Sequence, residues 1–153
     1  DAYEYVDADI TSGNLLKAEV FDKVGFFDDS LFIDLVDTDF CMRLNEKNIK
    51  MIKVRDAILY HSLGESQSVK SIFGKFNTSN HSALRRYYMS RNRHYIWDKY
   101  KEDFPSWVLT DKRRFITENL KIVLFEDNKI EKFKYIKKGI KDYRNNIFGK
   151  FNN

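Results

Sequence analysis

The chain has 153 residues, of which 42% are hydrophobic and 16% aromatic, so it is long enough and apolar enough to bury a substantial core. This composition excludes a disordered chain, and no apolar run approaches the roughly 20 residues needed to cross a bilayer. The single cysteine, Cys41, excludes an intramolecular disulfide and argues against a cysteine-based metal site. We expect a soluble or peripheral protein from a reducing compartment, without a signal-peptide pattern at its acidic N-terminus.

The net charge of +4 conceals a division into an acidic and a basic part. Residues 1–80 carry a net charge of −5, whereas residues 81–153 carry +9. We therefore predict two parts with these bounds. The basic part favours an anionic partner, such as nucleic acid, a diphosphate or an acidic lipid headgroup.

The acidic part is predicted to contain short strands and helices. Residues 3–10 alternate as in a strand and end in a turn, and residues 17–24 indicate a helix that Gly25 closes. A second helix is expected over 38–48 with Asp37 at or near its N-cap.

Two further strands are predicted after that helix, at 51–54 and 57–60. This order is typical of the end of an α/β sheet. Residues 62–80 are rich in Ser, Gly and Asn with little periodicity, which predicts a mobile loop or lid.

The basic part is predicted to be helical. We expect helices over 82–100, from Pro105 to about Phe125, and over 129–147. The last has an apolar stripe of Phe133, Ile136, Ile140, Tyr143 and Ile147, with lysines and Arg144 on the remaining surface. Such a helix either binds an anionic membrane surface or packs on the helix that contains Arg91.

Several motifs occur in a fixed order along the chain. They are Thr11 to Leu16, Gly25 to Asp29, Val36 to Arg43, Tyr60 to Gly64, Arg86 to Asn92 and the region of Gly139 to Asp142. In this order they resemble the acceptor-side half of inverting glycosyltransferases of family 2, nearest to the bacterial rhamnosyltransferases. The resemblance covers almost the whole chain.

The resemblance implies the fold class: an α/β protein comprising the C-terminal part of a GT-A fold over 1–80, followed by a helical C-terminal extension over 81–153. Transferases of this kind begin with a nucleotide-binding half that ends in an Asp-X-Asp metal motif. We expect that half upstream of Asp1, so that the 153-residue chain alone is inactive.

The resemblance also implies roles for residues of the acidic part. Asp37 matches the base that takes the proton from the acceptor hydroxyl, although from spacing alone it could be only an N-cap. Asp39 and Asp34 are candidates for orienting the acceptor. The alternative for Asp39 is that its negative charge in the first turn only stabilises the helix through the helix dipole. Gly13 and Asn14 match a loop near the donor sugar and acceptor, or form a plain turn.

His61 matches a histidine that often binds Mn²⁺ or Mg²⁺ beside the Asp-X-Asp motif in such enzymes. The metal would stabilise the departing nucleoside diphosphate. The alternative interpretation is a hydrogen-bonded histidine at the end of a strand.

Arg91 lies on the apolar face of its predicted helix, where arginine is rarely buried without a partner. Its partner could be a carboxylate or, together with Asn92, a diphosphate or lipid-linked phosphate. Arg85 and Arg86 are predicted to be solvated.

The sequence therefore predicts part of an enzyme that moves rhamnose or a related hexose from a nucleoside diphosphate sugar to a polysaccharide or lipid-linked acceptor. We expect it in the cytoplasm, peripheral to the inner face of the cell membrane. One alternative is a non-catalytic membrane-docking or self-associating module, possibly a homo-oligomer. A nucleic-acid-binding domain is the other, but no nucleic-acid-binding motif accompanies the charge.

Overall fold

A computed structural model of the chain describes residues 2–60, 67–71, 74–78 and 80–152. The strands are β1 (Tyr3–Val6), β2 (Met51–Val54), β3 (Gln67–Ser71) and β4 (Gly74–Thr78). The helices are α1 (Glu19–Val24), α2 (Val36–Glu46), α3 (Ala83–Tyr100), α4 (Pro105–Phe125) and α5 (Lys129–Arg144), and a short 3₁₀ helix spans Asp29–Leu31.

The chain divides into two compact units. The first comprises Asp1–His61 together with Phe148–Asn153, and the second comprises Ser62–Ile147. The tail returns to the first unit, where the backbone N–H of Gly149 donates a 2.7 Å hydrogen bond to the carbonyl of Ser30. The sequence-based boundary between residues 80 and 81 separates a proposed acceptor-side part from a proposed C-terminal extension. That functional division stays a prediction.

The first unit has a two-stranded antiparallel sheet in which β1 pairs with β2, with Tyr3 opposite Val54 and Val6 opposite Met51. Both predicted strands exist, although β1 is shorter than expected. The third predicted strand, 57–60, is wrong, because these residues are exposed and have no strand partner in the described structure. The GT-A fold itself stays a prediction.

Aromatic packing holds the helices of the first unit together. Phe40 of α2 contacts Phe21 of α1 and Phe27 of the following loop, with ring centroids 5.8 and 4.5 Å apart. Gly25 ends α1 as predicted, because its φ of 76° suits glycine and its N–H donates to the carbonyl of Phe21. This packing anchors one side of α2.

In the second unit β3 and β4 form an antiparallel hairpin, with Gln67 opposite Thr78. The prediction of a mobile loop or lid over 62–80 did not include these two strands. Their period-2 pattern is weak because Ser, Asn, Lys and Gly fill most positions.

Three helices form the rest of the second unit, with bounds close to those predicted. Ser82 caps α3 by accepting a hydrogen bond from the N–H of Arg85, and Pro105 is the first residue of α4. The helix α5 packs along α3, which contains Arg91. Of the two alternatives for the apolar stripe of α5, this agrees with packing on that helix. None of the described helices is long and apolar enough to cross a membrane.

The contact between α3 and α5 is unusually close because of a glycine. The single hydroxyl hydrogen of Ser90 is shared between the carbonyl of Tyr87 on its own helix, 2.9 Å from Oγ, and that of Ile136 on α5, 3.2 Å from Oγ. A Cβ atom at Gly139 would lie 2.4 Å from Ser90 Oγ. Only a residue without a side chain permits this approach.

Candidate active site

Asp37 lies in the first turn of α2 rather than at its N-cap. The N-cap is Leu35, and the helix begins at Val36, two residues before the predicted start. The Asp37 side chain is partly buried, and within the described part of the chain it has no hydrogen bond or ion pair. The helix therefore fixes the position of the Asp37 carboxylate, and this carboxylate does not cap the helix.

The neighbouring carboxylate of Asp39, in contrast, forms an ion pair within α2. Its side chain is fully buried and accepts a 2.9 Å hydrogen bond from Nε of Arg43, one turn further along α2. The same guanidinium donates through Nη1 to the carbonyl of Val24 at the end of α1. Asp39 thus connects the two helices through Arg43, which is a structural role.

The segment before α2 has a strained backbone. Phe32, Asp34 and Leu35 all have positive φ values between 61° and 64°. Phe32 is the centre of a γ-turn, closed by a 2.7 Å hydrogen bond from the N–H of Ile33 to the carbonyl of Leu31. Residues other than glycine in such conformations cost about 1–3 kcal/mol each, and they concentrate at functional sites.

The predicted loop residues Gly13 and Asn14 are exposed in the first unit. Asn14 closes a turn by donating its backbone N–H to the carbonyl of Thr11 at 3.0 Å, and Gly13 has a φ of 75°. A Cβ at Gly13 would lie 2.8 Å from the side chain of Leu59. The turn interpretation therefore accounts for glycine here, and a role in sugar binding stays a prediction.

A second contact links the start of the chain to α2 near Asp37. Cys41 is buried and its Sγ lies 3.5 Å from the carbonyl oxygen of Asp9. Burial raises the pKa of the Cys41 thiol, and the charges of Asp37 and Asp9 add to the effect. Cys41 is therefore a neutral core residue, which agrees with the sequence interpretation.

The predicted metal site cannot be assembled from the described residues. His61 lies outside them, and they contain no group of three or more His, Cys, Asp or Glu side chains that could hold a metal ion. Two Asp-X-Asp triplets occur within the chain itself, at Asp7 and at Asp37. In each, one carboxylate already binds a cation: Asp9 binds Lys53 and Asp39 binds Arg43.

Arg91 is fully buried in the second unit, as its place on the apolar face of α3 predicts. Its Nε donates to Oδ1 of Asn92 at 3.0 Å, and its guanidinium lies 5.5 and 5.1 Å from the ring centres of Tyr87 and Tyr88. Asn92 is also fully buried. Neither side chain reaches the surface of this chain, and a role of Arg91 and Asn92 in phosphate binding stays a prediction.

Arg86, predicted to be solvated, is instead 5% exposed and binds Glu126 at 2.7 Å. Glu126 also accepts from Lys132 at 2.9 Å, which corrects the placement of Lys132 on the lysine-rich surface of the last helix. Arg93 forms a two-bond pair with Glu118 at 2.7 and 3.0 Å. Burial of these charges is compensated by their pairing.

A spacing in the sequence could have revealed this network. Arg86 and Arg93 are seven residues apart on α3, and Asp111 and Glu118 are seven apart on α4. Residues at this spacing share one face of a helix, so two antiparallel neighbours can match two cations with two anions. Arg93 Nε lies 3.3 Å from Asp111, as this match requires.

No family model matches the chain, and no solved structure matches it. A relative with a function in its name is the dTDP-rhamnosyl transferase RfbF of Shigella flexneri, which is 43% identical to the chain over 83 residues. The match covers 54% of this chain and 27% of the length of the relative.

This likeness supports a rhamnosyltransferase-like glycosyltransferase in general terms. The chain is thus similar, over about half its length, to part of a sugar-transferring enzyme.

Proposed function

We propose that this chain is the acceptor-side part of an inverting glycosyltransferase with a GT-A fold. The enzyme would move rhamnose or a related hexose from a nucleoside diphosphate sugar to a polysaccharide or lipid-linked acceptor. The observation that carries the proposal is the carboxylate of Asp37, which is partly buried, fixed in the first turn of α2 and free of hydrogen bonds and ion pairs among the described residues. The similarity to a dTDP-rhamnosyl transferase gives the reaction class.

In the proposed reaction the Asp37 carboxylate accepts the proton of the acceptor hydroxyl. The acceptor oxygen then forms a bond to the anomeric carbon from the side opposite the leaving group. The bond between that carbon and the diphosphate oxygen breaks, and the nucleoside diphosphate leaves with the electron pair. Inversion follows from this single displacement through a transition state of oxocarbenium character.

Asp37 is preferred to its neighbours for a physical reason. A general base needs a free lone pair directed at the acceptor, and Asp39 is fully buried with its carboxylate bound to Arg43. Asp34 lies within the strained segment, with a φ of 64°, and we assign it to orienting the acceptor. Strain in this segment would fix the position of Asp37 before substrate arrives.

The metal stays part of the proposal. Mn²⁺ or Mg²⁺, when bound by His61 with an Asp-X-Asp motif, would neutralise charge on the departing diphosphate. The steps assigned to Asp37 need only the carboxylate and the acceptor.

The test is Asp37→Asn in the full-length enzyme, with Asp29→Asn as a matched control that makes the same change on the exposed turn before α2. Product formation should fall by about 10²–10⁴-fold in Asp37→Asn, since general bases contribute that much. Donor binding, measured by calorimetry, should remain within about twofold of the parent, because the diphosphate contacts are untouched. Loss below about tenfold, or equal loss in Asp29→Asn, would contradict the assignment.

A further inference from the structure

The helix α4 presents two chemically different faces. Its inner face contains the buried residues Val108, Asp111 and Ile122, and also Phe115, whose ring centroid lies 5.6 Å from that of Trp97 on α3. Both carboxylates of α4 belong to this face, where Arg93 binds Asp111 and Glu118. The inner face therefore packs on α3 and neutralises its own negative charge.

The other face of α4, here the outer face, exposes a row of large aliphatic side chains. Positions 109, 116 and 123 are seven residues apart and position 120 lies between them, so these residues share one side of the helix. Each of the following is between 49% and 63% exposed: Leu109, Ile116, Leu120, Val123 and Leu124. Such a continuous apolar row on a solvent-facing helix is unusual and marks an interaction surface.

All the exposed charges on α4 are positive. They are Lys112, Arg113, Arg114 and Lys121, whereas both carboxylates of the helix lie on the inner face; Nζ of Lys112 is 5.6 Å from the ring centre of Trp97 on α3, so Lys112 lies beside α3. Aliphatic residues with only cations beside them are the composition of a helix that lies in the headgroup region of an anionic bilayer. Its 21 residues extend over roughly 30 Å, which allows many lipid contacts.

Two other occupants fit this face less well. A second copy of the chain docked by the same face would place Arg113, Arg114 and Lys121 against the same three cations, and like charges repel across an interface. Nucleic acid would satisfy the cations, but single strands are bound by stacking on aromatic rings, and the exposed row is aliphatic.

We propose that the outer face of α4 docks this protein onto an anionic lipid surface, with its aliphatic row in the headgroup region and its cations at the lipid phosphates. The helix lies on the bilayer and does not cross it. The docking uses α4 in place of the apolar stripe of α5, because that stripe packs on α3. The inference is independent of the proposed sugar transfer.

The test compares two triple variants of the 153-residue chain that lose the same charge. Arg113→Gln/Arg114→Gln/Lys121→Gln removes three cations from α4, and Lys134→Gln/Lys137→Gln/Lys141→Gln removes three exposed cations from α5. Co-sedimentation with vesicles of phosphatidylglycerol and phosphatidylcholine gives the partition coefficient of each. Far-UV circular dichroism verifies that both variants fold.

We expect the parent to bind the anionic vesicles and not pure phosphatidylcholine. The α4 variant should bind about 100-fold more weakly, since each basic residue at the surface contributes roughly fivefold, and the α5 variant should lose less than about fivefold. Ile116→Ser/Leu120→Ser, which keeps the charge, should weaken binding by about tenfold because it removes apolar contact.

Three results would overturn the proposal. The first is a parent that does not bind anionic vesicles. Equal losses in the two triple variants would be the second, because binding would then depend on net charge alone. The third is a parent dimer in sedimentation velocity that Ile116→Ser/Leu120→Ser converts to monomer, since the outer face would then hold a second copy of the chain.

Discussion

Gly139 of α5 and Ser90 of α3 lie so close together that a Cβ atom added to the glycine would be 2.4 Å from the serine hydroxyl. The same atom would lie 2.4 Å from the backbone carbonyl of Tyr87, which cannot rotate away. The two helices therefore approach each other closely where each has a small residue. This contact also positions Asp142, which accepts a 2.8 Å hydrogen bond from the Tyr87 hydroxyl.

Gly139→Ala should destabilise the protein by about 1–3 kcal/mol, because the added methyl forces α5 away from α3. The substitution would stabilise an isolated helix, so a loss isolates the effect of packing. Urea unfolding measures the change. Lys137→Ala, on the exposed side of α5, is the control and should stay within about 0.5 kcal/mol of the parent.

Glu126→Gln should lower the free energy of unfolding by about 3–5 kcal/mol. The side chain is 1% exposed and accepts from both Arg86 and Lys132, so its neutralisation removes the counter-ion of the buried Lys132 and leaves Arg86 with the 3.7 Å contact to Glu118. Chemical denaturation of Glu126→Gln beside Glu131→Gln, an exposed change of the same kind, provides the comparison. Similar stability of the two variants would contradict the role of the network.

Asp39→Asn should destabilise the protein more than Asp37→Asn, although Asp37 is the residue that we propose as the catalytic base. Asp39 is fully buried beside Arg43, whereas Asp37 has neither a hydrogen bond nor an ion pair in the described structure. We expect Asp39→Asn to lose about 1–3 kcal/mol, since it breaks a charged hydrogen bond, and Asp37→Asn to lose less than about 1 kcal/mol. Thermal unfolding of both variants tests this, and a larger loss in Asp37→Asn would refute it.

The stability of the protein should depend on pH through His94. Burial lowers the pKa of His94 below its ordinary value of 6.5, although the hydrogen bond with the Ser90 carbonyl opposes this. A depressed pKa in the folded state means that this contribution is present above pH 6.5 and is lost as the pH falls below it.

His94→Gln removes that titration, so only the parent should lose stability through this group on acidification. We expect the melting temperature of the parent to exceed that of the variant by less at pH 5.5 than at pH 7.5. The measurement is differential scanning fluorimetry at both pH values, with His81→Gln as the control. A difference that is constant or widens on acidification would show that His94 does not carry this dependence.

His61→Ala in the full-length enzyme should raise the metal concentration required for half-maximal transfer, as the resemblance to metal-dependent transferases implies. Titration of Mn²⁺ into parent and variant measures it. His81→Ala, a histidine in the second unit, is the matched control. An unchanged metal requirement would assign His61 a structural role.

The helices of the second unit could be predicted almost to the residue because the local signals agree. Ser82 and Pro105 mark two starts, and apolar periodicity defines the bodies of α3 and α4. The burial of Arg91 also followed from periodicity. Its surroundings did not, because they depend on which rings and amides the fold brings to it.

The first unit was predicted less well, and the reason is its backbone conformation. Positive φ at Phe32 and Leu35 has no sequence signal, since neither residue favours it, and it moves the start of α2 two residues earlier than the cap pattern indicated. The sequence pattern therefore placed Asp37 at or near the N-cap, whereas it lies within the first turn of the helix. The hairpin of β3 and β4 was missed because polar strands with both faces unspecified lack a clear alternation.

The contacts of Arg93 also limit how α4 can move against α3. One guanidinium binds Asp111 and Glu118, which lie two turns apart on α4. Sliding α4 by one turn, about 5.4 Å, would carry both carboxylates out of reach and leave the charge of Arg93 buried and uncompensated. The apolar contacts of the inner face tolerate such a shift better, because the hydrophobic effect has no directional requirement. These ion pairs therefore fix the position of α4 along α3. They also determine which residues of the outer face are presented to a partner.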